Sequence, residues 1–203
     1  MLVNDQSGLR QVKAIGNFLS TYYTDLLYIR NFQRYKQGKF PKLEYLKKGS
    51  GTFYQFLIEF RIMRNVDKNK VPEFLSETLW CVKGSTLDNV DGFASHLKNT
   101  GITHNKLPTS LASKILFLNN PLAIKLYDNQ AKRALRYKGM NYKEFLELVR
   151  TFGLKHRSIA GSSFKIISLY LELIESQFGT EIKDVNQIRF NRFIDKLAWL
   201  LNT

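Results

Sequence analysis

Residues 107–137 read LPTSLASKILFLNNPLAIKLYDNQAKRALRY, two helical segments joined by a turn. Pro108 suits the opening of a helix, where its missing N–H costs nothing. Ile115, Leu116, Phe117 and Leu118 carry that helix forward to the break at Asn119, Asn120 and Pro121. The first turn presents the amides of Ser110, Leu111 and Ala112, a natural place for an anion. Lys114 lies inside the helix, where its stem can follow the apolar surface while its amine reaches an edge. Asp128 stands where the next helix begins, a position that favours Asp because its carboxylate accepts from a free backbone amide.

Outward from this stretch the same helical period recurs. Leu9, Val12, Ile15, Leu19, Tyr22, Tyr23, Leu26 and Leu27 form one apolar stripe. Gly38, Pro41, Gly49 and Gly51 punctuate a basic loop over residues 36–52, and helical spacing resumes at Phe53, Phe56, Leu57 and Phe60. Pro72 reads as the first-turn proline of a helix carrying Phe74, Leu75, Leu79 and Trp80. Further helices are expected over residues 90–98, 108–118, 129–137, 142–152, 162–177 and 185–201. No strand-like alternation and no fixed-period repeat appear, so the expectation is an all-α protein of about nine helices.

The chain has 203 residues, is 44% hydrophobic, and carries 31 Lys and Arg against 17 Asp and Glu, a net charge of +14. That hydrophobic content excludes a disordered chain. No apolar run spans a bilayer, and the first twenty residues lack a signal-peptide core. The lone Cys81 forms neither an internal disulfide nor a zinc site, and reads as a buried thiol. His96, His104 and His156 show no metal spacing, and no compact acidic cluster suggests a divalent cation. The expectation is an intracellular, nucleoid-associated protein, without metal or cofactor and without membrane attachment, monomeric.

So large a positive excess asks for a polyanion, most commonly nucleic acid. Residues 30–48 hold seven cations and one acid, with Tyr35, Phe40 and Tyr45 interleaved, a pattern suited to phosphate contact and stacking. Arg34, Lys36 and Lys39 are the candidates there. Lys132, Arg133 and Arg136 are candidates in a second basic stretch. A solvated basic surface, an acidic protein or membrane partner, and a single-stranded RNA partner are the alternatives.

The Leu107-Pro108 opening, the Ser113-Lys114 pair, Pro121, and the run Asp128-Asn129-Gln130-Ala131-Lys132-Arg133-Ala134-Leu135 resemble the active-site core of the helix-hairpin-helix DNA glycosylases, in particular the 8-oxoguanine DNA glycosylase-fold branch. The segment from Ile188-Arg189 to Asp195-Lys196-Leu197-Ala198-Trp199-Leu200 resembles that branch's closing helix. Thr109 and Leu111 stand where the family's hairpin has glycines, and no four-cysteine iron–sulfur loop follows.

The resemblance implies a two-lobed all-α fold with an active-site cleft between the lobes. Residues 52–140 would form the hairpin-bearing lobe, and residues 1–51 would pack with residues 141–203 as the other. It implies excision of a flipped-out base from double-stranded DNA, with Asp128 and Lys114 catalytic and Thr109 and Ser110 on the DNA. A carboxylate beside the anomeric carbon stabilises the positive sugar as the base leaves. A lysine amine of lowered pKa can form a Schiff base there, adding lyase activity.

Tyr54, Trp80, Phe152 and Trp199 are the aromatic candidates for the base pocket. An oxidised guanine and a hypermodified phage base, such as glucosylated hydroxymethylcytosine removed in antiviral defence, both remain open as substrates. The other reading is a non-enzymatic helical DNA-binding protein, in which Asp128 is only a helix cap and Lys114 only a surface lysine. Ser162 and Ser163, after Gly161, read as a helix cap rather than as nucleophiles.

Overall fold

The computed structural model describes residues 5–79, 89–104 and 108–200. Trp80, Cys81 and Leu107 lie outside them. The described residues form eleven α-helices: α1 (Asp5–Lys36), α2 (Lys42–Leu46), α3 (Phe53–Glu59), α4 (Val71–Glu77), α5 (Val90–Asn99), α6 (Thr109–Asn119), α7 (Asn129–Ala134), α8 (Tyr142–Lys155), α9 (Arg157–Ile166), α10 (Ser168–Glu175) and α11 (Val185–Trp199). The protein is all-α: no strand occurs among these residues, only an isolated antiparallel bridge between Val66 and Thr103. No described helix is long and apolar enough to cross a membrane.

The chain divides into two compact units, Met1–Leu26 with Asp128–Thr203, and Leu27–Tyr127. In the first, Phe18, Tyr22 and Phe193 are fully buried. Ring centroids lie 5.9 Å apart for Phe18 and Phe193, and 5.3 Å for Phe164 and Phe193, both near-perpendicular pairs. Such edge-to-face contacts add about 1 kcal/mol each to the burial of the rings. Tyr22 donates to Glu175 Oε1 at 2.7 Å, and Glu175 also takes a two-bond contact from Arg189.

The second unit is built on Tyr28, Phe32, Tyr45, Phe53, Phe56, Phe74 and Phe93, all fully buried. Here α5 packs along α6. Gly51 adopts φ +73°, and an added Cβ would meet Asn31 Nδ2 at 2.5 Å. Asn31 Nδ2 donates to the Gly51 carbonyl at 2.9 Å. Only glycine allows the loop to approach α1 this closely.

Three departures from the sequence expectations have local causes. The basic loop contains a helical turn, α2, whose Tyr45 is buried and stacks on Tyr35 at 5.2 Å. Burial of one aromatic ring orders a segment that glycines and lysines mark as irregular. The helix expected over residues 162–177 is two, α9 and α10, broken at Ile167 (φ −107°, ψ 20°). Ser162 and Ser163 therefore sit inside α9 rather than capping a helix. Their hydroxyls bond back to the Ile159 carbonyl at 3.0 and 2.8 Å, a contact that competes with the helix ladder.

Third, α7 stops at Ala134 instead of running on to Tyr137. Arg136 is left-handed (φ 52°). The Arg136 amide donates to the Arg133 carbonyl at 3.0 Å and the Tyr137 amide to the Lys132 carbonyl at 2.8 Å. This paired closure satisfies the last carbonyls and ends the helix. α3 ends in the same way around Arg61 (φ 55°), with Arg61 N–H on Ile58 O and Ile62 N–H on Leu57 O.

Candidate active site

Asp128 caps α7. Its backbone is extended and its Oδ1 accepts from the Ala131 amide at 2.8 Å. The residue is half-buried, and its second oxygen receives no hydrogen bond from any described residue. One oxygen thus fixes the carboxylate in direction.

The surroundings of Asp128 within its unit are unusual. Helix α11, which packs against α7, carries Arg192, Asp195, Lys196 and Trp199 at i, i+3, i+4 and i+7, one face of a helix. Arg192 is 3% exposed. Its Nε donates to Asp25 Oδ2 at 2.7 Å, and its Nη1 to Asp195 Oδ2 at 2.9 Å. Lys196 is 4% exposed, and its ammonium rests 4.0 Å from the centroid of the Trp199 ring. The Trp199 Nε1 atom is buried without a hydrogen-bond partner.

Five charged side chains therefore share one electrostatic environment: the carboxylates of Asp25, Asp128 and Asp195, and the cations Arg192 and Lys196. Burial pushes the Asp195 carboxyl up to about 6, against the attraction of Arg192, and the charge of Asp128 adds to the rise. Burial lowers the Lys196 ammonium, and the neighbouring Arg192 charge lowers it further. For Arg192 burial acts in the opposite sense to its partners, and the charges of Asp25 and Asp195 hold its proton all the more firmly. Groups of opposite tendency crowded together are a mark of functional sites. Among the described residues no group of three or more His, Cys, Asp or Glu side chains is arranged to hold a metal.

Lys114 belongs to the other unit. It projects from α6 half-buried and donates to the Phe60 carbonyl at 2.8 Å, at the end of α3. Of the residues expected at DNA, Thr109 is buried, Ser110 half-buried, and Arg34, Lys39, Arg133 and Arg136 are exposed. Lys36 is bonded to Asn119 Oδ1, and Lys132 lies over the Tyr137 ring at 5.7 Å. Of the pocket aromatics, Tyr54 is half-buried beneath Lys48 at 5.8 Å, Phe152 is buried against His156, and Trp199 lines the charged cluster.

Asp25, Arg192, Asp195 and Lys196 carry no role in the sequence reading. A signal for three of them was present: charges spaced along one face of a segment, RFIDKLAW, too apolar to leave that face in water. Asp25, far away in sequence, gave none. Comparison with known proteins found no matching family model, no matching curated protein and no matching solved structure.

Proposed function

We propose that the chain is a DNA glycosylase that extrudes a damaged or modified base from double-stranded DNA and cleaves its N-glycosidic bond, with Asp128 as the catalytic carboxylate. The observation that carries this reading is the geometry of Asp128: anchored through one oxygen at the start of α7 and backed by a buried charge cluster. As the base departs, positive charge grows on the sugar. A carboxylate already fixed in position stabilises that charge without reorganising. The resemblance of the 107–137 stretch and the +14 charge support the same reading. In it, exposed Arg34, Lys39, Arg133 and Arg136 contact phosphates, a two-lobed cleft with a helix-hairpin-helix element receives the duplex, and Trp199 borders the pocket for the flipped base.

The test is mass spectrometry of free bases released from oxidised plasmid, unmodified plasmid and phage DNA carrying hydroxymethylated and glucosylated cytosines. Wild type should release a base from one of the modified DNAs, which names the substrate. Asp128→Asn should bind the same DNA and release about 100- to 1,000-fold less. Binding without release from any DNA would leave a non-enzymatic DNA-binding protein.

A further inference from the structure

We infer that the outward face of α10 docks a second copy of this chain, with the two helices antiparallel across a two-fold axis. The inference is independent of the glycosylase reading and departs from the monomer expected from sequence.

The α10 segment is apolar on two sides. Ile167 and Leu171 are buried, on the side that faces the rest of their unit. Ile166, Leu169, Tyr170 and Leu173 stand at i, i+3, i+4 and i+7, one face of a helix, and each is 58% exposed or more. The bend at Ile167 leaves this row intact. The Ile167 amide donates to Ser163 O at 3.2 Å and the Leu171 amide to Ile167 O at 3.0 Å, so helical hydrogen bonds run through it. A helix apolar on both sides is ordinarily covered on both. No other described helix carries four exposed large apolar residues on one face.

Exposed to this degree, four large side chains offer about 500 Å² per copy, a size at which patches mark interaction sites. Two copies together bury about 1,000 Å², the least that a specific interface needs.

The charges beside the row select the occupant. Lys165 and Glu172 are both exposed, seven residues apart on one edge of the row, and neither makes an ion pair among the described residues. With the two-fold axis between Leu169 and Tyr170, Ile166 meets the partner's Leu173 and Leu169 meets the partner's Tyr170, each contact occurring twice. In this antiparallel arrangement like edges face each other, so Lys165 faces the partner's Glu172, also twice. A parallel pairing would set that edge against the opposite one, where Ile174 and Gln177 carry no charge. Charges flanking an apolar seam fix orientation and partner choice in paired helices. The face is therefore complementary to itself, in its apolar row and in its charges.

The test is sedimentation velocity of the full chain at about 150 mM salt, where long-range repulsion between two basic copies is screened, over a low- to high-micromolar concentration series. The expected result is a monomer–dimer equilibrium. Leu169→Glu should weaken it at least tenfold, with Tm, measured below the dimer midpoint, unchanged because the side chain is exposed. Lys165→Glu and Glu172→Lys should each weaken the dimer at least fivefold, since each sets like charges together at two places. The double variant restores both pairs and should return within twofold of wild type. Monomer at every concentration, a dimer indifferent to Leu169→Glu, a double variant no better than the single ones, or species that grow without limit past the dimer would each overturn the inference.

Discussion

At the scale of single residues, the charged face of α11 decides the character of the first unit. A carboxyl raised to about 6 inside the fold, from 3.8, is more readily protonated when folded than when unfolded. The stability Asp195 contributes is therefore fully present below about pH 4 and is lost as pH rises through about 6. Asp195→Asn removes that dependence and keeps an oxygen to accept from Arg192. Urea unfolding from pH 4 to pH 7 should show the variant gaining on wild type across this window, by about 2 kcal/mol in all. A constant difference between the two proteins over the window would contradict the burial of Asp195. Asp128 is legible in the sequence as a helix cap because a cap depends on its neighbours in the chain, and its hydrogen bond to Ala131 is there. The meeting of Asp25 with Arg192 is not legible, since that pairing links α1 to α11, 167 positions apart.

At the scale of elements, most helices are legible from apolar spacing, and their ends are less so. α7 and α3 close on left-handed arginines, positions where glycine is the unstrained residue. A side chain at such a site costs about 1 kcal/mol. Arg136→Gly should accordingly be neutral or raise stability by up to about 1 kcal/mol in denaturant unfolding, while weakening duplex binding. Unchanged affinity would remove Arg136 from the DNA surface. Neither ending is visible beforehand, because arginine carries none of the signal that a glycine at the same position gives. The division of the 162–177 segment is hidden for a related reason: serines inside a helix and serines at its start look alike until their hydroxyls find the Ile159 carbonyl.

At the scale of the whole molecule, the excess of cations is the property most plainly read from sequence, and under the proposed function it sets how duplex affinity responds to salt. Removing one cation that neutralises a phosphate should flatten the slope of log K against log salt by about 0.9. Arg34→Ala, Lys39→Ala and Arg133→Ala, measured on a duplex by fluorescence anisotropy from about 50 to 300 mM salt, should each lower the slope by that amount. Three slopes equal to wild type would place the DNA elsewhere. All-α character follows from the period of the hydrophobic residues, whereas the way two stretches of chain join in one unit, Met1–Leu26 with Asp128–Thr203, depends on packing no local pattern encodes.

In the proposed function Asp128 acts through its charge and not only as a cap. Asparagine caps a helix as well as aspartate does, so Asp128→Asn separates the two roles. The deciding measurement is the single-turnover rate of base release on the modified DNA at saturating enzyme, for wild type and Asp128→Asn, with Tm and duplex affinity recorded alongside. Tm and affinity should be unchanged, and the rate should be lower by about 100- to 1,000-fold. Equal rates would contradict a role for the charge and return Asp128 to that of a helix cap.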